Sequence, residues 1–184
     1  MPEHDRIETQ FWTVPAVSNP AQNGAVANNV ARSVARLNAV QALYQLAMSG
    51  GTPETIIGQF GASENDSQAE EGEGPMAEAD ADLFAELVGG TNGNMTKIDE
   101  MVASCLDESW PVERMEVLLR AILRCGAYEM FSRSTVPPRV VISEYVRVTD
   151  AFFEGKEPAL VNAVLDKLAR VLRPEELTTE DSRQ

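Results

Sequence analysis

The side chains that could carry chemistry are few, and most of them are poorly placed for catalysis. The chain has a single histidine, His4, close to its N-terminus. A catalytic triad or a histidine-based zinc site needs a histidine held by a folded element, so neither is predicted. The two cysteines, Cys105 and Cys125, show no metal-ligand spacing, and we expect them to be buried free thiols. The sequence therefore predicts a protein that is not an enzyme and that binds no cofactor.

Two short segments are similar to ligand-binding motifs but fit structural roles better. Asp80 and Asp82 are spaced like a pair of cation ligands, yet they border a long run of acids, so solvated carboxylates are the better interpretation and no metal site is predicted. The glycine-rich run Val88–Gly93 has the composition of a phosphate-binding loop, but no strand precedes it and no Gly-Lys-Ser/Thr follows it. We expect this run to be a helix break or a tight helix crossing.

Arg32 and Arg36 are the best candidates for binding a ligand. They lie four residues apart on a predicted helix, so they share one face beside its apolar stripe, with no acid nearby in sequence. The planar fork of a guanidinium matches phosphate oxygens, which makes a phosphate-contacting edge the functional hypothesis. Ordinary surface arginines are the alternative.

The distribution of charge decides whether nucleic acid is a plausible partner. The formal net charge is −14, but nine acids and no base lie between Gly61 and Glu86, so the rest of the chain carries only −5. Residues 110–173 hold ten basic and eight acidic side chains. The acidity is thus concentrated in one segment, and the remainder can present a basic face.

Apolar residues recur every three or four positions, which predicts helices throughout. The first helix should run from Asn28 or Asn29 to Met48, where Gly50 and Gly51 stop it. Further helices are predicted from Pro53, from Asp80 or Asp82, from Trp110-Pro111, from Pro137-Pro138 and after Pro158. No alternating strand pattern occurs. The predicted fold is therefore an all-α bundle of about six to seven helices.

Composition divides the chain into five parts. Residues 1–26 hold three prolines and no helical periodicity, and they are predicted to be a disordered tail. Residues 61–79 are predicted to be an acidic disordered insertion, because they cannot bury enough apolar surface to offset their ordering entropy. Helical subdomains are predicted at 27–60 and 80–173, and residues 174–184 form a C-terminal tail. No stretch is long and apolar enough for a membrane span, and no signal-peptide pattern opens the chain, so we expect a cytoplasmic protein.

Five blocks of sequence, in order, resemble the NusB transcription-antitermination family. The first is an arginine-containing segment, Ala31–Arg36, followed by Ala39-Val-Gln-Ala-Leu-Tyr44, and the last, Val161–Lys167, is the most specific. The intervening blocks are Leu87–Gly90 with Ile98-Asp99, Ile122–Arg124 with Tyr128-Glu129, and Val136-Pro137 with Ile142 and Glu144. Together they cover all of the chain except the tails and the acidic insertion.

The resemblance implies a fold, a function and partners. The implied fold is two packed helical subdomains, and the implied function is binding of boxA-type single-stranded RNA together with NusE, a small-subunit ribosomal protein. The pair then joins elongating RNA polymerase and suppresses termination. On this resemblance, Arg32, Arg36, Lys156 and Leu160 are assigned to the RNA-binding surface. The motif residues Tyr128 and Glu129 are interpreted as structural.

Departures from the family pattern leave two other functions open. Ser33 and Val34 separate the two arginines where the family has several in a row, and Leu160 replaces a phenylalanine. These changes predict weak RNA binding by the isolated chain. One alternative is therefore a protein-interaction adaptor that has lost most RNA affinity. A second is a detached relative of the NusB-like domain found in some ribosomal-RNA cytosine methyltransferases, although no cofactor-binding α/β domain follows here.

Overall fold

Seven α-helices and one short 3₁₀ turn make up the part of the chain described by the computed structural model, residues 20–66, 79–106 and 112–176. No strand occurs within these ranges, and the predicted all-α fold is confirmed. The helices are α1 (Pro20–Ser49), α2 (Pro53–Asp66), α3 (Ala81–Gly93), α4 (Met95–Cys105), α5 (Val117–Ser132), α6 (Pro138–Asp150) and α7 (Glu157–Leu172), with the 3₁₀ turn at Val112–Arg114.

The first helix begins earlier than its apolar stripe. It starts at Pro20, inside the predicted tail, because proline suits the first turn of a helix and no apolar periodicity is needed there. Residues 1–19 lie outside the described range. The helix ends as predicted: Gly50 and Gly51 have φ of 71° and 108°, a left-handed conformation that side chains other than glycine adopt only with strain.

Two other boundaries also differ from prediction. The second helix continues to Asp66, so its last turns occupy the start of the predicted insertion, while residues 67–78 lie outside the described range. The helix expected at Trp110-Pro111 begins at Val117 instead. Before it, the chain forms a 3₁₀ turn in which the Met115 amide donates to the Val112 carbonyl, at 3.2 Å between nitrogen and oxygen. The short turn buries Val112 and Met115 against the bundle.

The two predicted subdomains share one hydrophobic core. The long helix α1 packs against α3 and α5, and α5 packs in turn against α6 and α7. Buried residues of α1, such as Ala39 and Val40, belong to the same cluster as Leu165 and Leu168 of α7. The fold is therefore built around α1 and α5. Because α1 and α6 both pack against α5, the surface between α1 and α6 has a fixed helix on each side.

The glycine-rich run is the tight helix crossing that its composition predicts. Gly90 lies on α3 directly against the ring of Tyr128 on α5, and a Cβ added at Gly90 would overlap with that ring. The adjacent Gly89 has open space around the corresponding position. Asn94, between α3 and α4, donates from its side-chain amide to the Gly90 carbonyl at 2.8 Å. Gly90 is therefore required for close approach.

An arginine near the end of α7 braces the α5–α6 loop, residues 133–137. The guanidinium of Arg173 donates to the carbonyl oxygens of Ser134 and Val136, each at 2.7 Å, and it also binds both carboxylate oxygens of Glu176. Arg173 itself is buried. Its hydrogen bonds lower the pKa of the Glu176 carboxyl. The loop is thus fixed by the C-terminal end of the bundle.

A search of the described helices for a membrane span finds none with the necessary length and apolar character.

Candidate nucleic-acid interface

Arg36 is buried within the bundle, not at its surface. Its Nε donates to Oε2 of Glu129 at 2.9 Å and its Nη2 donates to Oε1 at 2.6 Å, which is a bidentate pair between α1 and α5. The side chain of Arg36 is 4% exposed and that of Glu129 is 0% exposed. Because a carboxylate already fills the guanidinium fork, the structure argues against the phosphate contact predicted for Arg36.

Two more buried groups complete this polar centre. The hydroxyl of Tyr145, on α6, donates to Oε2 of Glu129 at 2.9 Å and lies 3.2 Å from Sγ of Cys125. Burial raises the pKa of Tyr145 well above its usual value and raises the pKa of the Cys125 thiol to about 12. Burial alone lowers the pKa of Arg36, but hydrogen bonding and the charge of Glu129 outweigh it, so the pKa is raised. The centre therefore ties α1, α5 and α6 together, and it confirms the structural interpretation of Glu129 and of Cys125 as a buried thiol.

The polar centre continues outward to the protein surface. Nη1 of Arg36 lies 3.6 Å from Oε2 of Glu144, and Oε1 of Glu144 accepts a hydrogen bond from Arg147 at 2.8 Å. The guanidinium of Arg147 also donates to Oγ of Ser33 on α1 at 2.8 Å. Arg147 remains 65% exposed. The polar centre thus reaches an exposed arginine of α6, which the sequence does not single out because its contact with Ser33 depends on how α6 packs beside α1.

A groove of about 900 Å³ opens between the N-terminal half of α1 and helix α6, and residues of the α5–α6 loop also line it. Its apolar part includes Val26, Val30 and Val140, which are each more than 40% exposed. Arginines line the same groove, namely Arg32, Arg133 and Arg147, together with the buried Arg36. Exposed apolar side chains next to guanidinium forks are the combination that single-stranded nucleic acid requires, because bases stack or pack while phosphates are bound.

Arg32 occupies the position predicted for a phosphate contact. Its side chain is 45% exposed, and its Nε lies 3.7 Å from Oδ2 of Asp80, which is a long ion pair. Asp80 also accepts a hydrogen bond from the Leu83 amide and so caps α3. No cluster of three or more potential metal ligands occurs among the described residues. Arg32 therefore presents its guanidinium to the groove, beside a carboxylate with a structural role.

The acidic segment ends beside this groove. Asp80 lies next to Arg32, and Glu86 forms an ion pair with Arg133. The amide of Asp80 also donates to the carbonyl of Ala31, at 3.1 Å, which attaches the start of α3 to α1. The described end of the acidic segment is thus held against the basic groove.

The other two predicted site residues are not in the groove lining. Lys156 is exposed just before α7, and Leu160 lies in the first turn of that helix, partly buried against the core. The groove is lined instead by residues of α1, α6 and the α5–α6 loop. The structure therefore brings Arg32 together with Arg147, and it leaves Lys156 and Leu160 as a separate candidate region at the start of α7.

Comparisons with known proteins agree on one family. The model of the NusB family matches residues 33–170. The transcription antitermination protein NusB of Caulobacter vibrioides is 46% identical over 142 residues, which cover 77% of this chain and 94% of that relative. The NusB of a Bradyrhizobium species is 43% identical over 146 residues, with 79% and 85% covered.

Solved structures share the fold at lower sequence identity. A crystal structure of T. maritima NusB has a TM-score of 0.64 at 23% identity, and it covers 80% of this chain and 96% of that chain. A structure of the antitermination factors NusB and NusE in complex with double-stranded RNA has a TM-score of 0.62 at 20% identity, with 76% and 96% covered.

Proposed function

Because this chain belongs to the NusB family of transcription antitermination proteins, which are not enzymes, we propose that its groove between α1 and α6 is an RNA-binding site. The ligand is a boxA-type single-stranded RNA, bound together with the ribosomal protein NusE. The assembled pair then joins elongating RNA polymerase. This role is performed in the cytoplasm.

The observation that carries this proposal is the side-by-side placement of Arg32, Arg147 and exposed valines in one groove. Guanidinium groups bind the phosphates of an unpaired strand, while apolar side chains contact bases that are free of a duplex. Arg147 provides a second exposed guanidinium where the family's run of arginines is interrupted by Ser33 and Val34. The described surface thus supports a modest RNA affinity of its own.

NusE would add the contacts that this chain lacks. An acidic chain attracts a basic protein electrostatically, and the basic partner then supplies further phosphate contacts. By thermodynamic linkage, NusE must raise RNA affinity by the same factor as RNA raises NusE affinity. Each added charge-assisted hydrogen bond contributes roughly 1.5–3 kcal/mol, so two contacts tighten binding by about a hundredfold or more.

The test is a titration of labelled boxA-type RNA with the protein alone and with saturating NusE. The expected result is weak binding alone, tighter binding with NusE, and poor binding of a duplex of the same sequence. Replacing Arg32 and Arg147 with alanine should weaken binding and reduce the log–log salt slope by about 0.7 for each lost phosphate contact. The matched control is Arg170→Ala, which removes an exposed arginine of α7 that does not line the groove.

The alternative function is a protein-interaction adaptor with little RNA affinity. It would be supported if NusE associates with the chain without any tightening of RNA binding. Equal affinity of the Arg32/Arg147 double variant and the native protein would remove the groove from the RNA site. Loss of affinity on changing Lys156 and Leu160 instead would place the site at the start of α7.

A further inference from the structure

The N-terminal segment that precedes α1 has a composition complementary to the groove. Residues 1–19 contain three acids and one arginine, and they include the aromatic pair Phe11-Trp12. The groove presents the opposite features, with exposed arginines beside exposed valines. Aromatic side chains bury large apolar areas, and acids pair with guanidinium groups.

We propose that residues 1–19 bind in the groove between α1 and α6 of their own chain and compete there with RNA. This inference rests on the proposed RNA-binding function of the groove. In the bound arrangement, Phe11 and Trp12 cover Val26, Val30 and Val140. The acids before them, Glu3, Asp5 and Glu8, lie towards Arg32 and Arg147.

The length of the segment permits this arrangement. The groove follows α1 from Val26 to beyond Ser33, which is about 20 Å along the helix axis from Pro20. Trp12 precedes Pro20 by eight residues, which span up to about 26 Å when extended. The aromatic pair therefore reaches the whole apolar part of the groove, and the acids reach still further.

Covalent attachment makes even weak binding effective. A short covalent connection gives an effective concentration on the order of 1 mM. A segment with an intrinsic dissociation constant of about 0.2 mM would then weaken the apparent affinity for RNA about sixfold, because only the unoccupied fraction of molecules can bind RNA. NusE or a high-affinity RNA would displace the segment.

Tryptophan fluorescence tests the contact without any RNA. The chain has two tryptophans, Trp12 and Trp110, so Trp110→Phe leaves Trp12 as the single reporter. In the folded full-length protein, Trp12 should emit at shorter wavelength and resist acrylamide quenching relative to the urea-unfolded chain. Val30→Asp with Val140→Asp should abolish the difference, and equal quenching in folded and unfolded protein would overturn the proposal. Protection that grows with protein concentration alongside dimer formation would assign the groove to a second copy instead.

RNA titration tests the competition and separates binding from charge repulsion. Phe11→Ser with Trp12→Ser keeps the charge of the segment, and it should raise RNA affinity about sixfold, as deletion of 1–19 does. An effect of the deletion without an effect of the serine variant would show that charge alone acts, and it would refute docking. If no RNA binds to any variant, the proposed function fails, while the fluorescence result still decides whether the segment occupies the groove.

Discussion

Replacing Arg36 with alanine should destabilise the protein strongly while leaving RNA binding nearly intact. The change removes both hydrogen bonds to Glu129, at 2.9 and 2.6 Å, and leaves that carboxylate fully buried without its cation. Breaking a buried ion pair by removing one partner costs about 3–5 kcal/mol. In a chain of this length, each kcal/mol lowers the melting temperature by about 2–4 °C, so the expected loss is about 10 °C.

Thermal melts followed by circular dichroism measure this loss, and Arg32→Ala provides a matched control on the same helix. Arg32 is 45% exposed and its ion pair with Asp80 is long, so its removal should change stability by less than about 1 kcal/mol. A variant carrying Arg36→Met and Glu129→Leu removes both charges and should be more stable than Arg36→Ala alone. RNA affinity measured well below the melting temperature should follow the opposite order, with Arg32→Ala weakened and Arg36→Ala unchanged. An Arg36→Ala protein of native stability that has lost RNA binding would refute the structural role.

Three other predictions concern the bundle and its charge. Gly90→Ala should destabilise the folded protein by about 1–3 kcal/mol because the new methyl group meets the Tyr128 ring. Gly89→Ala has open space around the new methyl group and should stabilise the protein by about 0.5–1 kcal/mol. Urea unfolding compares the two variants. Stability should fall as pH rises from about 9 towards 12, because the pKa of Cys125 is about 12 in the folded state. Over that range the thiol loses its proton in the unfolded chain but keeps it in the folded protein. The urea midpoint of Cys125→Ala should therefore depend less on pH over the same range. Changing Glu70, Glu71, Glu73 and Glu78 to glutamine should raise RNA affinity at low salt and leave the melting temperature unchanged, and an equal affinity at every salt concentration would exclude charge repulsion.

Local sequence patterns predict most of the helices because burial in a bundle imposes a three-to-four-residue period. The cap at Asp80, the stop at Gly50 and the start of α6 at Pro138 follow directly from the residues that stand there. The first turns of α1 carry no such period, since residues 20–25 contain no large apolar side chain. Val26 and Val30, which follow, are exposed in the groove. Pro20 is the signal that marks the true beginning of the helix.

The candidate site was only half predictable, because arginines of similar local context meet different partners in space. Arg32 and Arg36 look equivalent in sequence, yet the second finds a carboxylate 93 residues away, on α5. The sequence does not single out Arg147, since its exposure and its contact with Ser33 depend on how α6 packs beside α1. Distinguishing a buried cation from a ligand-binding one requires knowledge of the long-range pairing of helices.

The brace formed by Arg173 comes from a residue that is added late in synthesis. The chain is made from its N-terminus, so α1, α5 and α6 leave the ribosome before the residue that fixes the loop between the last two. A product truncated before Arg173 would retain most family motifs but lack the hydrogen bonds that fix the α5–α6 loop. Such a product is therefore expected to hold the α5–α6 loop less firmly than the full-length protein does.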